Sequence, residues 1–213
     1  MKKILLFILL LMCLAWPEWE TKVPADAQKA IDQIMRKYGT NFESWKKQFG
    51  FDSSTRWSDL KAGIPVKVYQ ITGDSLLKMD ENAPVSAIVK SIDMWEVPLL
   101  HNGKCITTFS IYKRPKDHKW GIFQFRGPRP VWQKVRDAWQ DSDGYHPIII
   151  VNRGHRYYHV PEQNDSNLTP IERHTYSKLD QLADTNYKVL MPSRITLKIF
   201  KDYLHPKKKE GAQ

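Results

Sequence analysis

Three residues at alternate positions in the C-terminal third of the chain, His155, Tyr157 and His159, carry side chains that could do chemistry together. Alternate residues of a β-strand share a face, so both imidazoles point the same way. His146 opens the preceding strand, and His174 falls on the helix expected next. Imidazoles that converge on one point can ligate a metal or serve as acid and base. That would make the protein an envelope hydrolase working on the His155/His159 face. The competing reading is a half-exposed strand with aromatic and histidine rings turned to water. It is favoured, because no acidic residue lies on the strand to orient a ring; Glu162 and Glu172 are the nearest. No metal and no cofactor is expected.

Charge gives the second signal. The formal net charge is +10 over 213 residues. From Ile106 to Gln213 there are 19 basic and 11 acidic residues, whereas Trp16 to Cys105 is balanced. The segment Lys113 to Arg136 holds eight Lys or Arg and one Asp, interleaved with Trp120, Phe123, Phe125 and Trp132. Cations hold anions and flat rings stack, so this pattern suits an anionic partner. Lys116, Lys119, Arg126 and Arg129 are the expected contacts. The partner would be an anionic polymer, a lipid head group or an acidic protein. A solvated basic rim around core aromatics explains most of the same residues.

Sharper signatures are missing. The sequence has no Gly-x-Gly-x-x-Gly, P-loop, His-Glu-x-x-His, Gly-x-Ser-x-Gly, EF-hand loop or Cys-x-x-Cys. Two cysteines are too few for a disulfide scaffold or a four-cysteine zinc site. Apolar residues make up 41% and charged residues 26%, enough apolar content for a packed core. The expected role is therefore a binding module rather than an enzyme. A structural or sensory module without a small ligand is a third reading.

The N-terminus reads as an export signal of bacterial type. Lys2 and Lys3 precede an apolar run from Ile4 to Leu14, too short to span a bilayer as a helix. Cys13 and Ala15 supply small residues for cleavage after Ala15, which would lower the charge to +8 and leave Cys105 as the single cysteine. A lipid anchor on Cys13 is the minor alternative, since Met12 before it is not small. The destination is the periplasm, the envelope or the medium. Cys105, among apolar and Thr residues, reads as a core side chain. Asn167-Leu168-Thr169 would matter as a glycan site only in a eukaryotic secretory pathway.

The elements that must position these residues follow from period and punctuation. Ala27, Ile31, Ile34 and Tyr38 recur at helical spacing, with Asp26 as cap, and Gly39 ends that helix. Thr40 and Glu43 suggest a capping box before a second helix bearing Phe42, Trp45 and Phe49. Residues 51–63 read as irregular. A strand starts at Pro65, and one short helix falls within 74–89. Met94 to Leu100 and Lys104 to Tyr112 form a hairpin about Asn102-Gly103, whose positive φ tolerance suits a type I′ turn. Lys119 to Arg126 adds a third strand. A helix from Pro128 carries Val131, Trp132, Val135 and Trp139. A hairpin, Ile148 to Val151 and His155 to Val160, comes next. Thr169-Pro170-Ile171-Glu172 has the marks of a helix start running to Ala183, and Ser193 opens a last helix to Leu204. The fold class is α+β: a central antiparallel β-sheet of five to six strands, meander plus hairpin, flanked by helices. The expected organisation is a signal peptide at 1–15, a helical segment with an N-terminal helical pair at 16–63, an α+β domain at 64–205 and a polar tail at 206–213. Trp57 and Trp95 have no evident place in it.

Overall fold

A computed structural model describes residues 19–49, 51–71, 80–125, 130–152, 155–171 and 188–204. Their centre is one eight-stranded sheet. Its strands are β1 (Leu60–Ala62), β2 (Val66–Ile71), β3 (Val89–His101), β4 (Lys104–Lys113), β5 (Trp120–Phe125), β6 (Ile148–Asn152), β7 (His155–His159) and β8 (Thr169–Pro170). They lie in the order β5-β4-β3-β2-β6-β7-β8, with β1 paired to β3. Among the described residues the helices are α1 (Ala25–Lys37), α2 (Phe42–Trp45), α3 (Val85–Ile88), α4 (Pro130–Ala138) and α5 (Ser193–Leu204). The chain is thus α+β, with a larger sheet than the sequence suggested.

The sheet is mixed rather than antiparallel, because β2 and β6 run parallel, with Val68 opposite Ile149 and Tyr69 opposite Ile150. Short turns do enforce antiparallel neighbours in the β3–β4–β5 meander and in β6–β7. The junction of the two sets is a long crossover that no local signal reveals. The β6 run Ile148-Ile149-Ile150 is fully buried, as a strand covered on both faces requires.

Strand alternation sorts the core into two faces. On one face α1 buries Ala27, Ile31 and Ile34 against Trp95, Val97, Leu99, Phe109 and Ile111. On the same face α5 sets Leu197 and Phe200 against Tyr69, Ile71, Ile150 and Tyr157. The opposite face packs Trp132 and Val135 of α4 on Val66, Val68, Ile149, Tyr158 and Val160. Trp95 is therefore a central core residue. Trp57 packs against Gly39, where an added Cβ would come within 2.9 Å of the indole, and its Nε1–H donates to the carbonyl of Met35.

Several local expectations change. Pro24, not Asp26, occupies the N-cap of α1; the Asp26 carboxylate accepts the Ala27 N–H at 2.9 Å. In place of a second regular helix there are three short turns, 3₁₀ at Tyr38–Asn41, α2, and 3₁₀ at Lys46–Phe49. The stretch read as irregular contains β1. Thr169–Pro170 starts no helix: Thr169 pairs with Tyr158, and its hydroxyl accepts the Met191 N–H at 2.9 Å. Proline is tolerated there because β8 is an edge strand that need not donate outward. The rest of that expected helix lies outside the described residues, as does the N-terminal signal. The Asn102-Gly103 turn is as expected, with φ of 52° and 77° and His101 paired to Lys104.

Candidate functional site

Of the basic stretch, Lys134 and Arg136 lie on α4, where Arg136 pairs with Asp141, and the other described cations lie at the β4–β5 turn. Lys116 and Lys119 are exposed there. The backbone closes through Arg114 N–H to the Lys119 carbonyl at 2.9 Å, and His118 N–H to the Arg114 carbonyl at 2.9 Å. Asp117 is engaged by the Arg114 guanidinium in a two-point contact, at 3.1 Å and 2.7 Å. Lys113 reaches Asp26 at 3.6 Å and lies over Trp120. No ion pair of Lys116 or Lys119 occurs among the described residues. Trp120 and Phe125 pack toward the core, whereas Phe123 is 55% exposed and meets Tyr112 edge-on. Arg126 and Arg129 lie outside the described residues.

The histidines do not assemble. His155 and His159 share a face, as alternation requires, but sit at opposite ends of β7, about 13 Å apart at ~3.3 Å per residue. His155 is opposite Asn152 and His159 opposite Ile148. The strand is not half-exposed: Arg156 through His159 are buried, so the reading of rings turned to water is corrected. Helix α5 and the Trp19 ring cover that face. His146 is exposed and bonds Glu162 at 3.0 Å. His174 lies outside the described residues. Among the described residues no group of three or more His, Cys, Asp or Glu is placed to hold a metal ion.

His159 is a buried, oriented ring. Its Nδ1 lies 2.7 Å from the Asn167 carbonyl, which can only accept, so the proton is on Nδ1. Asp165 stands 3.6 Å from Nε2 and is itself held by the Ser86 N–H at 3.0 Å and the Ser86 hydroxyl. Burial holds the His159 imidazole below its ordinary value, against the opposing pull of Asn167 and Asp165. Cys105 is buried, and burial together with the Glu96 carboxylate pushes its thiol up to about 12. Its Sγ–H donates to the Thr107 carbonyl at 3.4 Å. It is a core thiol, not a nucleophile. It lies at one side of an open groove of about 650 Å³ lined by Gly63, Pro98, Leu100, Gln133 and the Arg136–Asp141 pair.

Two further polar arrangements escaped the sequence. On the α4 face Glu96 of β3 accepts from Arg156 of β7, from Thr108 at 2.8 Å and from Ser110 at 3.5 Å, all buried. On the other face Lys67 of β2 points inward between Trp95 and the N-terminal segment. Its Nζ meets Glu20 at 2.6 Å and lies 5.2 Å from the centre of the Trp95 ring. The signal for Lys67 was a lysine alternating with Val66 and Val68 in a strand apolar on both sides. Its partner, 47 residues earlier, left no trace.

No protein-family model and no curated protein matches this chain. Among the described residues no helix is long and apolar enough to cross a membrane.

Proposed function

We propose that the protein is an exported, non-enzymatic binding module that takes an anionic ligand on the β4–β5 turn. One observation carries this reading. The only acidic residue of the turn, Asp117, is held by the Arg114 fork and by the Lys119 N–H at 3.2 Å, while the Lys116 and Lys119 side chains are exposed and form no ion pair among the described residues. Arg126 and Arg129 follow β5 in the chain and extend the same basic run. Screened attraction of this kind weakens as the Debye length shrinks from about 10 Å at 0.1 M salt to about 3 Å at 1 M.

Retention on anionic phospholipid vesicles and on a polyanion column, at both salt levels, tests it. The comparison protein carries Lys116→Gln, Lys119→Gln, Arg126→Gln and Arg129→Gln. The variant should lose most of the low-salt retention. Equal retention of both proteins would reduce the basic excess to a solubility feature. N-terminal sequencing of the exported form should begin at Trp16; an intact Met1 on cytoplasmic protein would remove the export part of the proposal.

A further inference from the structure

Residues 19–24 belong to no helix or strand, yet Trp19 packs with the α5 cluster and Val23 with the α1 cluster. The segment therefore crosses the sheet face between the two helices. Its first two residues are held at the Glu20 carboxylate, the Glu20 N–H and the Trp19 ring. The Glu20 carboxylate takes Lys67 Nζ at 2.6 Å on one oxygen and the Ser91 hydroxyl at 2.7 Å on the other. The Glu20 N–H donates to the Tyr69 hydroxyl at 2.9 Å. The Trp19 ring stands 5.0 Å from Tyr69, edge to face at 80°, and 5.0 Å from His159. Three strands, β2, β3 and β7, supply these contacts.

The pair at its centre is asymmetric. The Lys67 side chain is 2% exposed, and the Glu20 side chain is 45% exposed. A lysine in a central strand is costly without a counter-ion, and here the counter-ion is brought by a segment lying on the surface of the sheet. Burial pushes the Glu20 carboxyl up, but the Lys67 and Ser91 hydrogen bonds and the Lys67 charge outweigh it and hold it below its ordinary value. The carboxylate is thus ionised at neutral pH and matched to a cation built into the core.

We infer that Lys67, Ser91, Tyr69 and His159 form a recognition slot for an aromatic–acidic peptide, and that the chain's own Trp19–Glu20 fills it in cis. A partner protein presenting an aromatic residue followed by Glu or Asp enters by displacing that segment. Lys67 and Ser91 read the carboxylate; Tyr69 and His159 read the ring. The tether keeps the cis segment at high effective concentration, so free peptide competes poorly until the segment is weakened. This slot is separate from the β4–β5 turn, and the inference does not rest on the turn's function.

The test uses the full exported chain carrying Trp19→Ala and Glu20→Ala, titrated with a fluorescein-labelled peptide of residues 16–24 and followed by anisotropy. The variant should bind saturably, and the unaltered protein at least about tenfold more weakly, as expected for competition with a tethered segment. Peptide with Trp19→Ala and Glu20→Gln should not bind. Adding Lys67→Met to the variant should abolish binding, whereas adding Lys116→Gln and Lys119→Gln should leave it unchanged; the reverse pattern would assign the peptide to the basic turn and overturn the slot. If the double variant loses cooperative melting, Glu20→Gln alone replaces it. No binding to a cooperatively melting variant, or equal binding to variant and unaltered protein, overturns the inference.

Discussion

Two buried cations, one on each face of the same sheet, show how differently an ion pair can be built into a core. Arg156 and Glu96 are 3% and 2% exposed, and Thr108 and Ser110 complete the carboxylate's shell. All four belong to strands, so the cluster closes when the sheet does. Lys67 is as deeply buried, but its carboxylate belongs to a segment outside the sheet and is nearly half in water. The first pair is permanent architecture. The second has an exchangeable half. Position along the chain, more than burial, separates a structural pair from one that a ligand could replace.

The strongest way to break the comparison is to remove each carboxylate and measure urea unfolding. Glu96→Ala strands Arg156 inside the protein and should cost about 3–5 kcal/mol, the range for an orphaned buried charge. Glu20→Ala should cost about 1–2 kcal/mol, since water can replace an already half-solvated carboxylate. Equal losses would erase the distinction between the two sites.

A smaller effect calibrates the first two. Gly103 has a φ of 77°, and an added Cβ would meet nothing within 4 Å, so substitution there strains the backbone alone. Gly103→Val should lower stability by roughly 1 kcal/mol. An unchanged melting temperature would mean that the turn relaxes freely. The Glu20 loss should be at least this large if the segment is truly docked.

The smallest effect is in pH and bears on one face only. His159 is held below its ordinary value when folded, so on acidification the unfolded chain takes up the proton first. Stability is then full above about pH 6.5 and falls as the pH drops toward the folded value. Glu20 is also held low. Its contribution is present above about pH 4.3 and is lost as the pH falls through its lower folded value. Melting temperature measured from pH 7.5 to 3.5 should decline in two stages. His159→Gln should flatten the upper stage and Glu20→Ala the lower. A profile unaltered by either variant would detach both groups from the acid response.

The parts of the fold governed by neighbours in sequence were legible. The Asn102-Gly103 turn, the stripe of α1 and the Trp132–Val135 face of α4 follow from spacing of a few residues. What failed was set at a distance. The β2–β6 pairing joins residues about 80 apart, and the Thr169–Pro170 cap signal gave way to Tyr158, which claimed that backbone for β8. The site divides in the same way. Lys116 and Lys119 could be read as exposed from the polar turn around them. His159 was placed on the right face but not recognised as buried, because its covers, Trp19 and α5, come from opposite ends of the chain.

The β2–β6 junction also orders events in time. As the chain is made from its N-terminus, the β3–β4–β5 meander and α1 can assemble while β6 is still unmade. During that interval β2 is an open border, Val-Lys-Val-Tyr-Gln-Ile, with unpaired amides and a strongly β-forming composition. Such borders recruit other copies of themselves, and pairings this remote close slowly. Lys67 is the single charge in that border, and a charge at the middle of an apolar strand discourages self-stacking. The residue that anchors Glu20 in the finished protein is thus also placed to guard the nascent one.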